Sequence, residues 1–128
     1  MYYALADAYV QPSTVEQWGL AVNEAMAAGL PVLVSEYCGC ARDLVQVGQN
    51  GFVFDPYQES QLTRFMLEVS SSSCDRTAMG RSSQAIISRW TPDTFAQNLV
   101  RAADTACSKP RSRKAWADRL LLKLLIRR

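Results

Sequence analysis

The chain has 128 residues, enough for one domain, and 48% apolar content, ordinary for a globular protein, so global disorder is excluded. Its net charge of +2 hides an asymmetry: residues 109–128 carry eight Lys/Arg against Asp118 alone, leaving six basic and eleven acidic residues in 1–108. A body near −5 is a poor partner for nucleic acid, and with no histidine anywhere in the chain Ser-His-Asp and Cys-His nucleophilic sites cannot be assembled.

The predicted elements alternate regularly. "YYALADA" reads as the end of a helix, and "AYVQPS" as a short buried strand stopped by Pro12 and Ser13. A polar loop follows, then a helix from about Gly19 to Ala28, closed by Gly29 as the left-handed terminal residue. "LPVLVS" is a continuous apolar run, the pattern of a strand buried on both faces of a parallel sheet. Residues 41–47, "ARDLVQV", predict a short helix, and "GQNGFVFDP" a turn into a brief strand ended by Pro56. From Gln58 onward the pattern is helical in three stretches, 59–69, 75–90 and 92–107, with Ser70 to Ser73 as the clearest break. Thr91 is placed to cap the last helix and Pro92 to open it.

Three short strands separated by helices imply right-handed crossovers and an α/β domain with an incomplete Rossmann-like parallel sheet. Since doubly wound nucleotide-binding domains have about five or six strands, the chain is expected to begin partway through its domain. The expected division is 1–108 as a partial ligand-binding domain and 109–128 as a basic tail.

The stretch "VEQWGLAVNEAMAAGLPVLVS" holds the chemistry. A helix opening at Gly19 presents unpaired N–H groups and a partial positive charge, a seat for a phosphate or diphosphate, and glycine lets a ligand approach the backbone. Glu24 lies a little over one turn into that helix and can lean back toward the same ligand, and Glu16 sits in the preceding loop. Carboxylates repel phosphates but accept hydrogen bonds from vicinal hydroxyls, so the pattern fits a ligand with diols at both ends of a diphosphate, as in a nucleotide sugar. On their own residues the two glutamates also read as solvated acids, one near a helix N-terminus and one on an exposed helix face.

The same stretch resembles the signature of the retaining two-domain glycosyltransferases of the GT-B fold, in particular glycosyltransferase family 4, the group 1 transferases. The resemblance rests on Pro12-Ser13, Glu16, Trp18-Gly19-Leu20, Glu24-Ala25-Met26-Ala27, Gly29, Pro31-Val32, Ser35, Gly39, Val45, Gly48, Gly51 and Pro56. It implies the donor-binding C-terminal domain of a hexosyltransferase-like enzyme that acts with retention. It also implies that Glu16, the catalytic-site residue, contacts hydroxyls of the donor sugar and Glu24 the ribose of the nucleotide. The backbone of Trp18, Gly19 and Leu20 would meet the sugar and the diphosphate. The donor would be a substrate such as a UDP-, GDP- or ADP-sugar, no metal or other cofactor is expected, and the acceptor would be a glycan, lipid or small molecule. An N-terminal acceptor domain and a basic pair that neutralises the diphosphate belong to the family pattern and are not in these 128 residues, so the chain alone is expected to be inactive.

Departures from the family text are Gln17-Trp18 for the commoner Gly-Phe, Cys40 for a second glycine and Asp43 for Glu. Trp18 reads foremost as a packing residue, and Gly39, Gly48 and Gly51 as turn glycines. Ser35 and Gly39, after a strand end, are lesser ligand candidates. Arg42 is the one basic residue near the motif and receives no role. The cysteines Cys38, Cys40, Cys74 and Cys107 lack zinc spacing and read as reduced thiols, which with the absence of a leader pattern predicts a cytoplasmic protein. The tail, helical from Lys114, would set Trp116 and four leucines against a basic ridge, too short to span a bilayer. It fits either peripheral contact with an anionic inner membrane face through 114–128 or packing against another domain or partner. The competing expectation for the whole chain is a non-catalytic interaction module retaining a remnant of the fold.

Overall fold

A computed structural model describes residues 2–108. The chain divides into two compact units between Thr91 and Pro92. In the first unit a 3₁₀ turn, Tyr2–Leu5, precedes strand β1 (Tyr9–Gln11), helix α1 (Leu20–Ala27), β2 (Val32–Ser35), α2 (Ala41–Leu44), β3 (Gly51–Phe54), α3 (Glu59–Ser70) and α4 (Arg76–Ile87). The second unit contributes α5 (Pro92–Ser108). The basic tail and its expected amphipathic helix lie outside the described residues.

The sheet is parallel with order β1-β2-β3, Tyr9 paired with Val32 and Leu33 with Phe52. The expected α/β class with three short parallel strands is therefore the observed one. β2 is central and wholly buried, as its unbroken apolar run requires. Two clusters cover its faces: Val22, Ala25, Met26 and Leu44 with Val32 and Val34 on one side, Phe52, Phe54, Phe65, Val69 and Met79 with Leu33 on the other. The stacked rings of Phe52 and Phe65, 4.6 Å apart, tie α3 to β3.

Three expectations need correction. The N-terminal "YYALADA" holds a 3₁₀ turn over Tyr2–Leu5 and not an α-helical turn. β1 is partly exposed along its whole length, and among the described residues it pairs with β2 alone. Helix α2 stops at Leu44 and does not run to Val47: Val45 is extended at φ −100°, ψ 113°. The cause is Asn50, whose buried amide donates to the Leu44 carbonyl at 3.1 Å and whose Oδ1 accepts from the Gln46 N–H at 2.7 Å. Val47 then pairs with Gly51 instead of continuing the helix.

The later helices follow their local signals. Ser71 ends α3, and Asp75 caps α4 by accepting from the Ala78 N–H at 2.9 Å. Gly29 holds φ 81° just beyond α1, the left-handed terminus expected of it.

Candidate functional site

The strands end at Gln11, Ser35 and Phe54, and the loops leaving the first two strands, 12–19 and 36–40, are zipped together at that carboxyl edge. Glu16 and Cys38 form a parallel bridge, the Gly39 N–H donates to the Glu16 carbonyl at 3.0 Å, and the Cys40 N–H to the Trp18 carbonyl at 3.1 Å. Gly39 sits in a turn, but its deeper reason is this contact, since a Cβ there would lie 1.9 Å from the Gln17 carbonyl oxygen. The family-like glycine is thus a condition for holding the two loops together.

The zipped loops deliver the chain to α1 through Gly19, which is buried and left-handed at φ 101°, ψ 62°, and which starts the helix without a side-chain cap. Only glycine adopts that conformation readily. Space closes the position as well: a Cβ would come within 3.3 Å of Cys40 Sγ and 3.6 Å of Glu16 Cγ. The result is a helix amino end whose first amides are met by no side chain of its own cap residue, at the edge of a parallel sheet where α/β ligands bind.

Around that end the predicted residues take distinct places. Glu16 is half-buried and its Oε1 accepts from the Trp18 N–H at 3.2 Å, which fixes the carboxylate beside the turn. Trp18 packs, as its bulk suggests: its Nε1 donates to Asn23 Oδ1 at 3.1 Å and its ring lies 5.3 Å from that of Trp90. Leu20 is 70% exposed at the first helical position. Glu24 is exposed, and its Oε2 accepts from the Tyr3 hydroxyl at 2.9 Å. Ser35 is fully buried, and its hydroxyl oxygen accepts from the Tyr37 N–H, which withdraws it from any ligand. Arg42 is exposed on α2.

One residue that spacing did not single out joins the two glutamates. The Tyr9 phenol is pushed above its ordinary value, first by burial and then by the charges of Cys38, Glu24, Cys40 and Glu16. Tyr9 therefore stands within electrostatic reach of both carboxylates, and its hydroxyl donates to Gln11 Oε1 while Gln11 Nε2 reaches Ser13 Oγ at 2.7 Å. Tyr3, 6.0 Å from Tyr9 in an edge-to-face arrangement, is likewise raised, chiefly by its hydrogen bond to Glu24. No short-range pattern could have found either tyrosine, because each meets Glu24 only through the fold.

The thiols at this edge are poor nucleophiles. Burial pushes Cys38 up and takes Cys40 to about 11. Among the described residues no group of three His, Cys, Asp or Glu gathers that could hold a metal ion, and no helix is long and apolar enough to cross a membrane. A shallow cleft of about 600 Å³ runs beside Glu24 between α1 and the end of α4, lined by Asn23, Ala27, Gln84, Ile87 and Trp90.

A parallel open sheet with a helix that starts from a left-handed glycine at its carboxyl edge is a Rossmann-like α/β arrangement. The family of Glycosyl transferases group 1 matches residues 1–85, and the chain belongs to that family. It is 38% identical over 84 residues to the sucrose synthase of Melioribacter roseus, covering 65% of this chain and 10% of that one. It is 37% identical over 71 residues to sucrose synthase 2 of Pisum sativum, covering 53% and 9%. In fold it is similar to the sucrose-phosphate synthase of Thermosynechococcus elongatus, with a TM-score of 0.68, 23% identity, and coverage of 84% of this chain and 27% of that chain. The architecture is that of a GT-B glycosyltransferase, and the chain spans about a tenth of the length of the curated relatives it matches.

Proposed function

We propose that residues 1–108 are the donor-binding part of a glycosyltransferase of family 4 which, in the complete protein, moves a hexose-like sugar from a nucleotide sugar to an acceptor with retention. The observation that carries this is the left-handed, uncapped Gly19 at the carboxyl edge of the sheet, with Glu16 in the loop before it and Glu24 on the helix after it.

In this reading the amino end of α1 faces the diphosphate, where its amides and partial charge stabilise the negative charge that grows as the bond from the anomeric carbon to the leaving oxygen breaks. Glu16, held by the Trp18 amide, accepts hydrogen bonds from donor-sugar hydroxyls, and Glu24 accepts from the ribose. Neither carboxylate needs to move a proton for this work. The metal-free chemistry proposed here assigns the neutralisation of the diphosphate to basic groups of the complete protein, so the chain by itself is proposed to bind without turning over.

Membership of the Glycosyl transferases group 1 family supports a nucleotide-sugar donor and a sugar acceptor as the class of substrates. The test is a titration of the isotope-labelled full chain with UDP, GDP and ADP, followed residue by residue by NMR. Saturable shifts centred on Gly19 and Leu20, weakened by Glu24→Ala, support the proposal. Shifts scattered over the surface, or none up to millimolar nucleotide, exclude it and favour a non-catalytic interaction module.

A further inference from the structure

Glu24 is exposed on α1, on a side chain with several rotatable bonds, and a carboxylate in that position ordinarily samples many directions. Here it has a partner from outside its helix. Tyr3, 21 residues earlier in the chain, donates its hydroxyl to Glu24 Oε2 at 2.9 Å. Tyr3 is itself half-buried, on the 3₁₀ turn that leads into β1, with its ring against the edge of Tyr9 at 6.0 Å and 64°. Tyr9 in turn is held through Gln11 to Ser13, at the start of the loop that carries Glu16. One hydrogen-bonded and aromatic row along β1 thus runs from Glu24 to Ser13, three residues before Glu16.

We propose that Tyr3 is a positioning residue for nucleotide recognition: its hydroxyl occupies Oε2 of Glu24 and so presents Oε1 to the ribose hydroxyls. This rests on the donor-binding reading above and adds a residue to it. A hydroxyl donor bound to an ionised carboxylate is a strong hydrogen bond of its type, and it fixes the plane of the carboxylate before ligand arrives. The raised phenol of Tyr3, caused first by this same hydrogen bond, agrees with the geometry. The cost of ordering a free glutamate is then met on folding instead of on binding, and the remaining oxygen discriminates ligands with ribose hydroxyls from those without.

The experiment uses the full chain and whichever of UDP, GDP and ADP binds the wild type best, each set beside its 2′,3′-dideoxy analogue. Wild type and the variants Tyr3→Phe, Tyr3→Leu and Glu24→Gln are compared by NMR titration. Tyr3→Phe keeps the ring and its packing on Tyr9 and removes only the hydroxyl. It is expected to weaken the ribonucleotide about fivefold while leaving the dideoxy analogue within about twofold, so that discrimination between them falls. Tyr3→Leu, which also removes the ring, loses at least as much. A merely structural tyrosine would weaken both ligands alike in Tyr3→Leu and neither in Tyr3→Phe, and that pattern overturns the proposal. Tighter ribonucleotide binding by Tyr3→Phe overturns it too, since the hydroxyl would then be a competitor for Glu24. If the wild type binds no ribonucleotide, the donor-binding reading fails and this inference with it; if the wild type binds and Tyr3→Phe is silent, this inference alone fails.

Discussion

The two ends of helix α1 are built on opposite terms. At its carboxyl end everything is closed: the Ala28, Gly29 and Leu30 amides return to Glu24, Met26 and Ala25, Ser83 donates to the Leu30 carbonyl at 2.7 Å, and Gln84 reaches the Ala27 carbonyl at 3.3 Å. Gly80 of α4 lies so close to Gly29 that a Cβ would stand 2.0 Å from its carbonyl oxygen. At its amino end the same helix starts from a left-handed glycine with no side-chain cap. A glycine at that position costs only about a few tenths of a kcal/mol relative to a Ser, Thr, Asp or Asn cap, so the open end is tolerated at little expense to stability. The contrast separates residues that hold α1 from residues that use it.

The largest effect belongs to the closed end. Gly80→Ala would gain helix propensity of about 1 kcal/mol in an isolated peptide, but here the new methyl group meets backbone, which cannot rotate away. We expect a net loss of about 3 kcal/mol and a fall in Tm of roughly 10 °C or more, read by calorimetry. An unchanged Tm would mean that α4 is not seated on the turn after α1.

Ser83→Ala comes next. The serine is fully buried on α4 and its hydroxyl donates to the Leu30 carbonyl, so its removal takes away that carbonyl's side-chain partner. A loss of about 1–2 kcal/mol in urea unfolding is expected, with the slope unchanged. Nucleotide shifts at Gly19 should remain as in the wild type, which would sharpen the separation of the two ends.

That separation also governs what could be read from the sequence. The central strand, α1 and the Gly29 terminus were legible because each is written in consecutive residues: an unbroken apolar run, a helical stretch, a glycine just past its end. The length of α2 was not, because Asn50 arrests it from six residues beyond Leu44. In the site, Glu16, Gly19 and Glu24 stood out as a family-like spacing around a helix start. Tyr3, Tyr9 and Trp90 did not, since they reach the motif only through the sheet and the α4 terminus. Gly39 read as a turn glycine, whereas it is a close backbone approach between segments distant in the chain, as is Gly80.

A third test acts at the open end through pH. Cys40, which fills the space behind Gly19, is raised from 9.0 to about 11 by burial. The folded state therefore keeps the thiol proton more tightly than the unfolded chain. Its contribution to stability is complete below pH 9 and is lost as pH rises toward 11. Unfolding free energy should decline over that window, and Cys40→Ala should flatten part of the decline; Cys38 and Tyr9, raised for the same reason, would supply the rest. An equally steep profile in Cys40→Ala would show that the thiol ionises as freely in the fold as outside it.

The smallest effect on folding is expected where the effect on binding is clear. Glu24→Gln keeps a good helix former on an exposed position and leaves an amide oxygen to accept from Tyr3. Stability should stay within about 0.5 kcal/mol of the wild type. What the substitution removes is the charge that makes the second carboxylate oxygen a strong acceptor, and the amide nitrogen put in its place only donates, so a ribose hydroxyl loses the acceptor for its proton. Ribonucleotide affinity should therefore fall while Tm holds. Were Tm to fall as far as in Ser83→Ala, Glu24 would belong to the framework of α1, and the division between a closed end that supports and an open end that binds would not survive.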